Sequence, residues 1–541
     1  MQVTGNKETK IMQRVEIKSP KLWSPDKPYL YSVVTSLYKA KQLIDTYKTP
    51  LGIRWFKFTA DSGFYLNGKH LQLRGMNIHA DYGGLGTALP DRANEKDIEI
   101  AKSMGVNIIR SAHNDPSIAL MQACDRLGML LWVETRYLGR DSFALGSIDD
   151  MIHRDRNHPS IICWGLANNS GRNDPRLTDF LKVMNAKAKA DDPTRVTVFG
   201  CEANGDPNKT GFAFVTDVMG YNGGGMGRDD PDHQHYPERK MLISEYSSGM
   251  GARGIYKREQ VGMPTYDTLG DGRIFKRTGR LSSIYDLCLS HENEWSHIAK
   301  RQFLAGGIMW SGIEYLGEPI GWPIVTSQFG VLDYARFKKD AYYYYLQEWT
   351  VKPMVHIFPH WNWEKADTVE VWCYSNQDEV ELRLNGKSLG IKKKVPLGHM
   401  SWKVPYSPGK LEAIGFKDGQ KTVSSSVVTS GAPARLFVKA DRSTIKADGS
   451  DLSFITIDVQ DQSGNFVPKA DNLIQVEVYG GKLLGLCSGN PQNHQDPAQP
   501  SMHAFNGKLL AIIQSDQRKG SITVKVRSTG LPSNKILIRK R

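Results

Sequence analysis

The run His158-Pro159-Ser160-Ile161-Ile162-Cys163-Trp164-Gly165-Leu166-Ala167-Asn168-Asn169-Ser170-Gly171 is an apolar stretch that ends abruptly in amides. A second run, Met241-Leu242-Ile243-Ser244-Glu245-Tyr246, ends in a carboxylate. Continuous apolar runs of this length fit strands buried on both faces of a parallel sheet, which deliver polar groups at their C-terminal ends. Outward from these two, strand-like and helical patterns alternate. Strands are expected at 71–78, 106–111, 129–134, 160–167, 195–201, 215–221, 241–245 and 308–313, with helical runs such as 94–104, 117–127 and 177–189 between them. Eight such units fit a closed (β/α)8 TIM barrel over residues 61–352. A doubly wound open sheet is the alternative, but no glycine-rich phosphate loop follows the first strand.

The flanks read differently. Residues 1–60 carry β-type runs such as Leu30-Tyr31-Ser32-Val33-Val34-Thr35-Ser36-Leu37-Tyr38, too few for a sandwich of about seven strands. This stretch is expected to be a partial immunoglobulin-like β-sandwich, entered midway and left with an exposed edge. Beyond residue 352 the helical periodicity stops. Alternation in Thr368-Val369-Glu370-Val371-Trp372-Cys373-Tyr374 and the turn at Asn385-Gly386 predict a β-sandwich over 353–431. A second immunoglobulin-like sandwich is expected over 432–541. The fold class is therefore multidomain, α/β plus all-β, with a barrel flanked by sandwiches.

Composition bounds the rest. A chain of 541 residues is too long for one core. No apolar run of about 18 residues exists, so no membrane span is expected, and no signal peptide is visible at the N-terminus. The net charge of +13 is spread along the chain and accompanies no nucleic-acid-binding motif. The plainer reading is a solvated basic surface; the functional one is attraction to an acidic polysaccharide. Six cysteines lack C-x-x-C spacing and sit in apolar runs, as small buried thiols do. No His/Cys cluster has zinc spacing, and no cofactor is expected.

Together the two strand ends resemble the acid/base and nucleophile strands of glycoside hydrolase family 2, which holds β-galactosidases, β-glucuronidases and β-mannosidases. Flanking motifs carry the same resemblance: Arg110-Ser111-Ala112-His113, Cys124-Asp125-Arg126-Leu127-Gly128, Arg154-Asp155-Arg156-Asn157-His158-Pro159-Ser160, and Gly306-Gly307-Ile308-Met309-Trp310. The order barrel, sandwich, sandwich is similar to gut-bacterial (Bacteroides-type) β-galactosidase-like members. The resemblance implies a retaining O-glycosyl hydrolase acting on an oligo- or polysaccharide, periplasmic or extracellular. It assigns Glu245 as nucleophile. It implies that Asn168 contacts the sugar 2-hydroxyl, that Arg110 holds Glu245 ionised, and that Trp310 forms a sugar platform. His113, Tyr221, His79 and Asp81 would line the substrate pocket. The N-x-K pattern by which similar β-glucuronidases hold a uronate is not evident, which favours a neutral hexoside.

The acid/base position departs from the pattern. The family's first strand ends W-x-x-G-N-E, its Glu being the general acid/base, and here that Glu is Asn169. An amide has no titratable proton near neutral pH. Another carboxyl would have to serve, with Asp174, Glu134, Glu314 and Glu318 as candidates, or the substrate would supply the acid. Otherwise the chain is a glycan-binding pseudoenzyme, or an interaction protein working through its β-domains. With the carboxylate gone, the magnesium that galactosidase-type members bind beside it is not expected, so no metal site is assigned.

Overall fold

The computed structural model describes residues 11–169, 174–202, 206–223, 227–257 and 281–541. Ser170 and Gly171 of the first quoted run lie outside them. The barrel is closed and parallel, with eight strands in sequential order. They are β1 (Leu73–Ile78), β2 (Ile108–Ser111), β3 (Leu130–Glu134), β4 (Ile161–Asn168), β5 (Val196–Glu202), β6 (Val218–Asn222), β7 (Met241–Tyr246) and β8 (Leu304–Met309). Helices Asp91–Ser103, Ile118–Leu127, Ser142–Asp155 and Pro175–Asp191 separate the first five strands, and Asp229–His235, Ile284–Ala299 and Asp340–Trp349 follow.

Local chemistry sets these elements. Ser117 Oγ accepts from Leu120 N at 3.2 Å and Asp141 Oδ1 from Ala144 N at 2.9 Å, so both helix starts are capped. Gly128 ends its helix in the left-handed conformation (φ 76°). Two of the sequence motifs bond each other: Asp125 accepts from Ser160 N at 3.0 Å and pairs with His158 Nδ1 at 2.6 Å. They lock the end of one helix to the entry of β4 and lie away from the functional face.

The eighth strand is displaced from its expected place. The run 308–313 was expected, yet the ladder spans Leu304–Met309, with Gly306 opposite Leu73 and Met309 opposite Met76. The cause is the glycine pair. A Cβ on Gly306 would overlap the Leu73 backbone, and one on Gly307 would lie 2.6 Å from Ile298 Cδ1. The glycines are the strand, because only they allow β1 and the helix layer to approach so closely.

Barrel interior and N-terminal mouth form one core. Leu73, Ile108, Leu130, Ile162, Val198, Val218, Leu242 and Ile308 each enter it from a different strand. A three-stranded meander, Phe56–Thr59, Gly63–Leu66 and Lys69–His70, closes that mouth with Phe58, Phe64 and Leu66. The boundary expected at residues 60/61 falls inside this plug. Upstream, Tyr31–Lys39 and Gln42–Leu51 form an antiparallel hairpin, and Val34, Leu37, Leu43 and Tyr47 on it are exposed.

Past the barrel, sheets of three and four strands enclose a core with Trp361, Val371, Leu382 and Trp402. Sheets of four and five strands form the last unit, from Arg435 to Lys540. It is seated on the barrel. Arg253 donates to Asp333 Oδ2 at 2.6 Å, and reaches across to the carbonyls of Ser488 at 3.0 Å and Phe505 at 2.8 Å. Phe454 stacks on Tyr82 within a shared apolar cluster. All six cysteines are free buried thiols. Among the described residues no helix is long and apolar enough to cross a membrane.

Candidate active site

Strict alternation would send every second residue of a barrel strand inward. Strands β4 and β7 break it just before their functional ends. Along β4 the register passes from Val198↔Gly165 to Gly200↔Asn168, three residues against two. Along β7 it passes from Tyr221↔Ile243 to Asn222↔Glu245, two against one. Each is a β-bulge, a device that re-aims side chains. In β4 it leaves Leu166 and Ala167 in the helix-facing core and turns Asn168 inward. In β7, Ser244 Oγ donates to Asn222 Oδ1 at 2.5 Å, while Glu245 meets Arg110. Tyr246 then returns to the helix side against Trp295.

Arg110, fully buried, is the hub. Its Nη1 donates to Glu245 Oε1 at 2.6 Å and to Asn77 Oδ1 at 3.2 Å. Its Nε donates to Glu134 Oε2 at 2.9 Å, and its Nη2 to Glu134 Oε1 at 3.1 Å and Asn168 Oδ1 at 2.8 Å. The guanidinium also lies over the Trp132 ring at 4.6 Å. Burial opposes the ionised form of Glu134, but Arg110 and His113 outweigh it and hold that carboxyl below its usual value. At Glu245 the balance tips the other way. Burial raises its pKa further than Arg110 and His113 lower it, and the nearby Glu134 charge adds to the rise. Arg110 therefore pulls toward ionisation, as expected, without bringing Glu245 down to the ordinary range.

The amides form a second layer. Asn222 Nδ2 donates to Asn168 Oδ1 and to Asn169 Oδ1, each at 2.9 Å. Asn169 adopts left-handed backbone geometry (φ 49°), which asparagine tolerates better than most residues. Its N–H donates to Gly200 O at 2.8 Å, and its Oδ1 also accepts from Glu202 N at 3.0 Å. The Asn169 amide oxygen is thus occupied by two donors.

The remaining expected residues separate into two groups. His113 belongs to the site: Nδ1 lies 2.7 Å from Glu134 Oε1 and Nε2 lies 3.4 Å from Asn168 Nδ2. A proton on Nδ1 satisfies the Glu134 contact. Its ring stacks on Trp310 at 5.2 Å, so one indole face is already covered and Trp310 is only 8% exposed. His79 stacks on Tyr315 at 3.7 Å, and burial pushes its pKa down to about 3.

Tyr221 and Asp81 do not reach the pocket. Tyr221 shares the outward phase of Met219, lies in the helix-facing core and donates to Asp232 Oδ2 at 2.7 Å. Its neighbour Asn222 takes the inward place. Asp81 is buried, accepts from Leu316 N at 2.9 Å, and its carbonyl accepts from Arg336 at 2.6 Å. It pins the segment after β8 rather than facing a ligand.

Known proteins agree with this architecture. The chain matches Glycosyl hydrolases family 2 over residues 1–54, and the family 2 TIM barrel domain over 58–145 and 140–274. It matches Glycoside hydrolase family 2 C-terminal domain 5 over 436–537, and a domain of unknown function over 366–423. Beta-galactosidase BoGH2A of Bacteroides ovatus is 34% identical over 97% of this chain and 68% of its own length. The chain belongs to glycoside hydrolase family 2. A beta-glucuronidase of Formosa agariphila is 27% identical over 98% of this chain, which spans only 53% of that relative. A crystal structure of a beta-glycosidase from Bacteroides vulgatus superimposes with a TM-score of 0.87 at 32% identity, covering 97% of this chain and 71% of that one.

Within this family 2 barrel, the carboxyls expected to replace the acid each have other partners. Asp174 caps the helix Pro175–Asp191 and is forked on Arg176. Glu134 is held ionised. Glu314 is buried against Lys339; burial pushes its pKa up to about 7, but its Oε2 accepts from Tyr334 N at 3.2 Å beneath the segment after β8. Glu318 accepts from Trp310 Nε1 at 3.3 Å and from the Tyr315 hydroxyl. Among the described residues one group of possible metal ligands, Asp149, His153 and Asp191, lies on the helix layer. The Lys187 ammonium already occupies it, bonding Asp149 and, at 3.0 Å, Asp191.

Proposed function

We propose that this chain is a retaining β-glycosidase of β-galactosidase type, with Glu245 as nucleophile. The observation that carries the reading is the bulged end of β7, which holds Glu245 Oε1 2.6 Å from the buried guanidinium of Arg110. A carboxylate so fixed attacks the anomeric carbon as the glycosidic bond breaks, giving a glycosyl ester that water then hydrolyses. Arg110 orients the attacking oxygen and stabilises its charge before attack. Asn168, held by Arg110 and Asn222, would meet the sugar 2-hydroxyl, a contact that strengthens in an oxocarbenium-like transition state. The substrate class is a neutral hexoside within an oligo- or polysaccharide; the name of the relative in Bacteroides ovatus supports galactose.

A second reading has its own support. Asn169 stands at the acid/base position, offers no proton, and has its oxygen bonded to Glu202 N and Asn222 Nδ2. That suits a scaffold that binds a glycan without cleaving it. Incubation with activated 2-deoxy-2-fluoro-β-glycosides separates the two. The retaining reading expects a burst of leaving group equal to the protein and a sugar ester on the peptide containing Glu245. Saturable oligosaccharide binding with neither burst nor ester favours the binding protein.

A further inference from the structure

We propose that Glu202, at the C-terminal end of β5, is the carboxyl that moves the proton Asn169 cannot move; the inference rests on the retaining reading above. Strand phase points Glu202 inward. Val198 enters the barrel interior, while Phe199 and Cys201 face the helix layer. The Cβ direction of Gly200 runs into Asn168 Oδ1 at 2.7 Å and Asn222 Oδ1 at 2.8 Å. Glu202 is the next inward position, one step closer to the open face, and it is half-buried.

Register places it level with the nucleophile. Glu202 pairs with Asn222 across β5 and β6, and Asn222 pairs with Glu245 across β6 and β7. The two glutamates flank one asparagine at a single level of the barrel. Two strand spacings separate their backbones by about 9–10 Å. Two inward glutamate side chains are long enough to close that gap to the roughly 5 Å carboxyl separation of a retaining pair. Glu202 is also clasped to the vacated position: its N–H donates to Asn169 Oδ1 at 3.0 Å, and Asn169 N–H donates to Gly200 O at 2.8 Å. The acid has moved one strand along the barrel.

The step balances. The Glu202 carboxyl gives its proton to the glycosidic oxygen as the bond from C1 to that oxygen breaks and Glu245 closes onto C1, so the aglycone leaves as an alcohol. Water then attacks C1 and yields a proton to the Glu202 carboxylate as the ester bond to Glu245 breaks. Both carboxyls return to their starting forms.

The test uses the full chain, the 2,4-dinitrophenyl β-glycoside that it turns over fastest among galactoside, glucoside, mannoside and glucuronide, and the methyl glycoside of the same sugar. Glu202→Gln should lower kcat/KM on the methyl glycoside by about 10²–10⁴ and on the dinitrophenyl glycoside by under about ten-fold, since a good leaving group needs no proton. With Glu202→Ala, added azide should speed turnover of the dinitrophenyl glycoside and give the β-glycosyl azide, because azide needs no base. Equal losses on both substrates, no loss on either, or a gain of about 10²–10⁴ on the methyl glycoside from Asn169→Glu alone would overturn the assignment. A wild-type chain inert toward every dinitrophenyl glycoside would instead overturn the retaining reading, and Glu202 with it.

Discussion

Arg110 Nη1 lies 2.6 Å from Glu245 Oε1, while the same guanidinium is forked on Glu134 through Nε at 2.9 Å and Nη2 at 3.1 Å. One buried cation thus serves two carboxylates of different character, one kept ionised and one raised. Replacing Arg110 by Met leaves Glu134 buried without its main counter-charge, a loss of about 3–5 kcal/mol for a broken buried pair. Thermal unfolding should begin earlier, and labelling of Glu245 by a fluoroglycoside should all but cease.

The raised pKa of Glu245 has a kinetic signature. Its ionised form attacks, so kcat/KM on activated glycosides should rise with pH along an acid limb above the usual glutamate value of about 4.3. The His113 charge lowers that pKa. His113→Gln should therefore move the limb to higher pH, and a pH profile of the two proteins checks the direction.

Gly200 has no room for a methyl group. A Cβ there would meet Asn168 Oδ1 at 2.7 Å and Asn222 Oδ1 at 2.8 Å. Gly200→Ala should push the amide layer apart and reduce turnover of activated glycosides by at least about ten-fold, a displacement effect. The melting temperature should fall only slightly, because the crowding is confined to the open mouth of the barrel.

Two histidines make the fold acid-sensitive. Burial pushes His79 and His291 down to about 3 from an ordinary 6.5. Between those values the unfolded chain binds protons that the folded chain refuses, so stability is complete above about pH 6.5 and declines as pH falls toward about 3. By pH 5 each group should have removed about 2 kcal/mol. Melting temperatures at neutral and acid pH should reveal the drop, and a variant with both histidines replaced by Gln should show a flatter profile.

Arg253 holds the last sandwich to the barrel through Asp333, Ser488 and Phe505. Arg253→Ala leaves the Asp333 carboxylate, fully buried, without that guanidinium. Limited proteolysis should then release a fragment beginning near residue 434 faster than from the unaltered protein.

The parts legible in the sequence were those governed by long apolar runs. The barrel and the ends of β4 and β7 follow from such runs, whereas Arg110 and His113 rest on the resemblance of their short motif. The parts that were not legible depend on register, which exists only between strands. The resemblance assigns Tyr221 to the site, although the phase running from Val218 gives the interior place to Asn222. The apolar run of the fifth strand ends at Cys201, one residue short of Glu202. The apolar run of the eighth strand reads from Ile308, and only the nearness of Leu73 makes Gly306 and Gly307 part of the ladder. Asp81 looked like a pocket residue because nothing local announces that its partner is Leu316, far along the chain.

The bulges in β4 and β7 also bear on how this chain can vary. A bulge makes the direction of a side chain depend on a count of residues as well as on their identity. Deleting Leu166 or Ala167 would turn three residues against two into two against two, so Asn168 would stay opposite Gly200 and face the interior while the helix layer lost one apolar side chain. The same deletion in the exposed loop at Ala40-Lys41 would move nothing in the pocket. A deletion in the regular part of β4 instead moves every later side chain to the other face, so a screen of single-codon deletions scored on an activated glycoside would mark the bulges as the strand positions that best tolerate one.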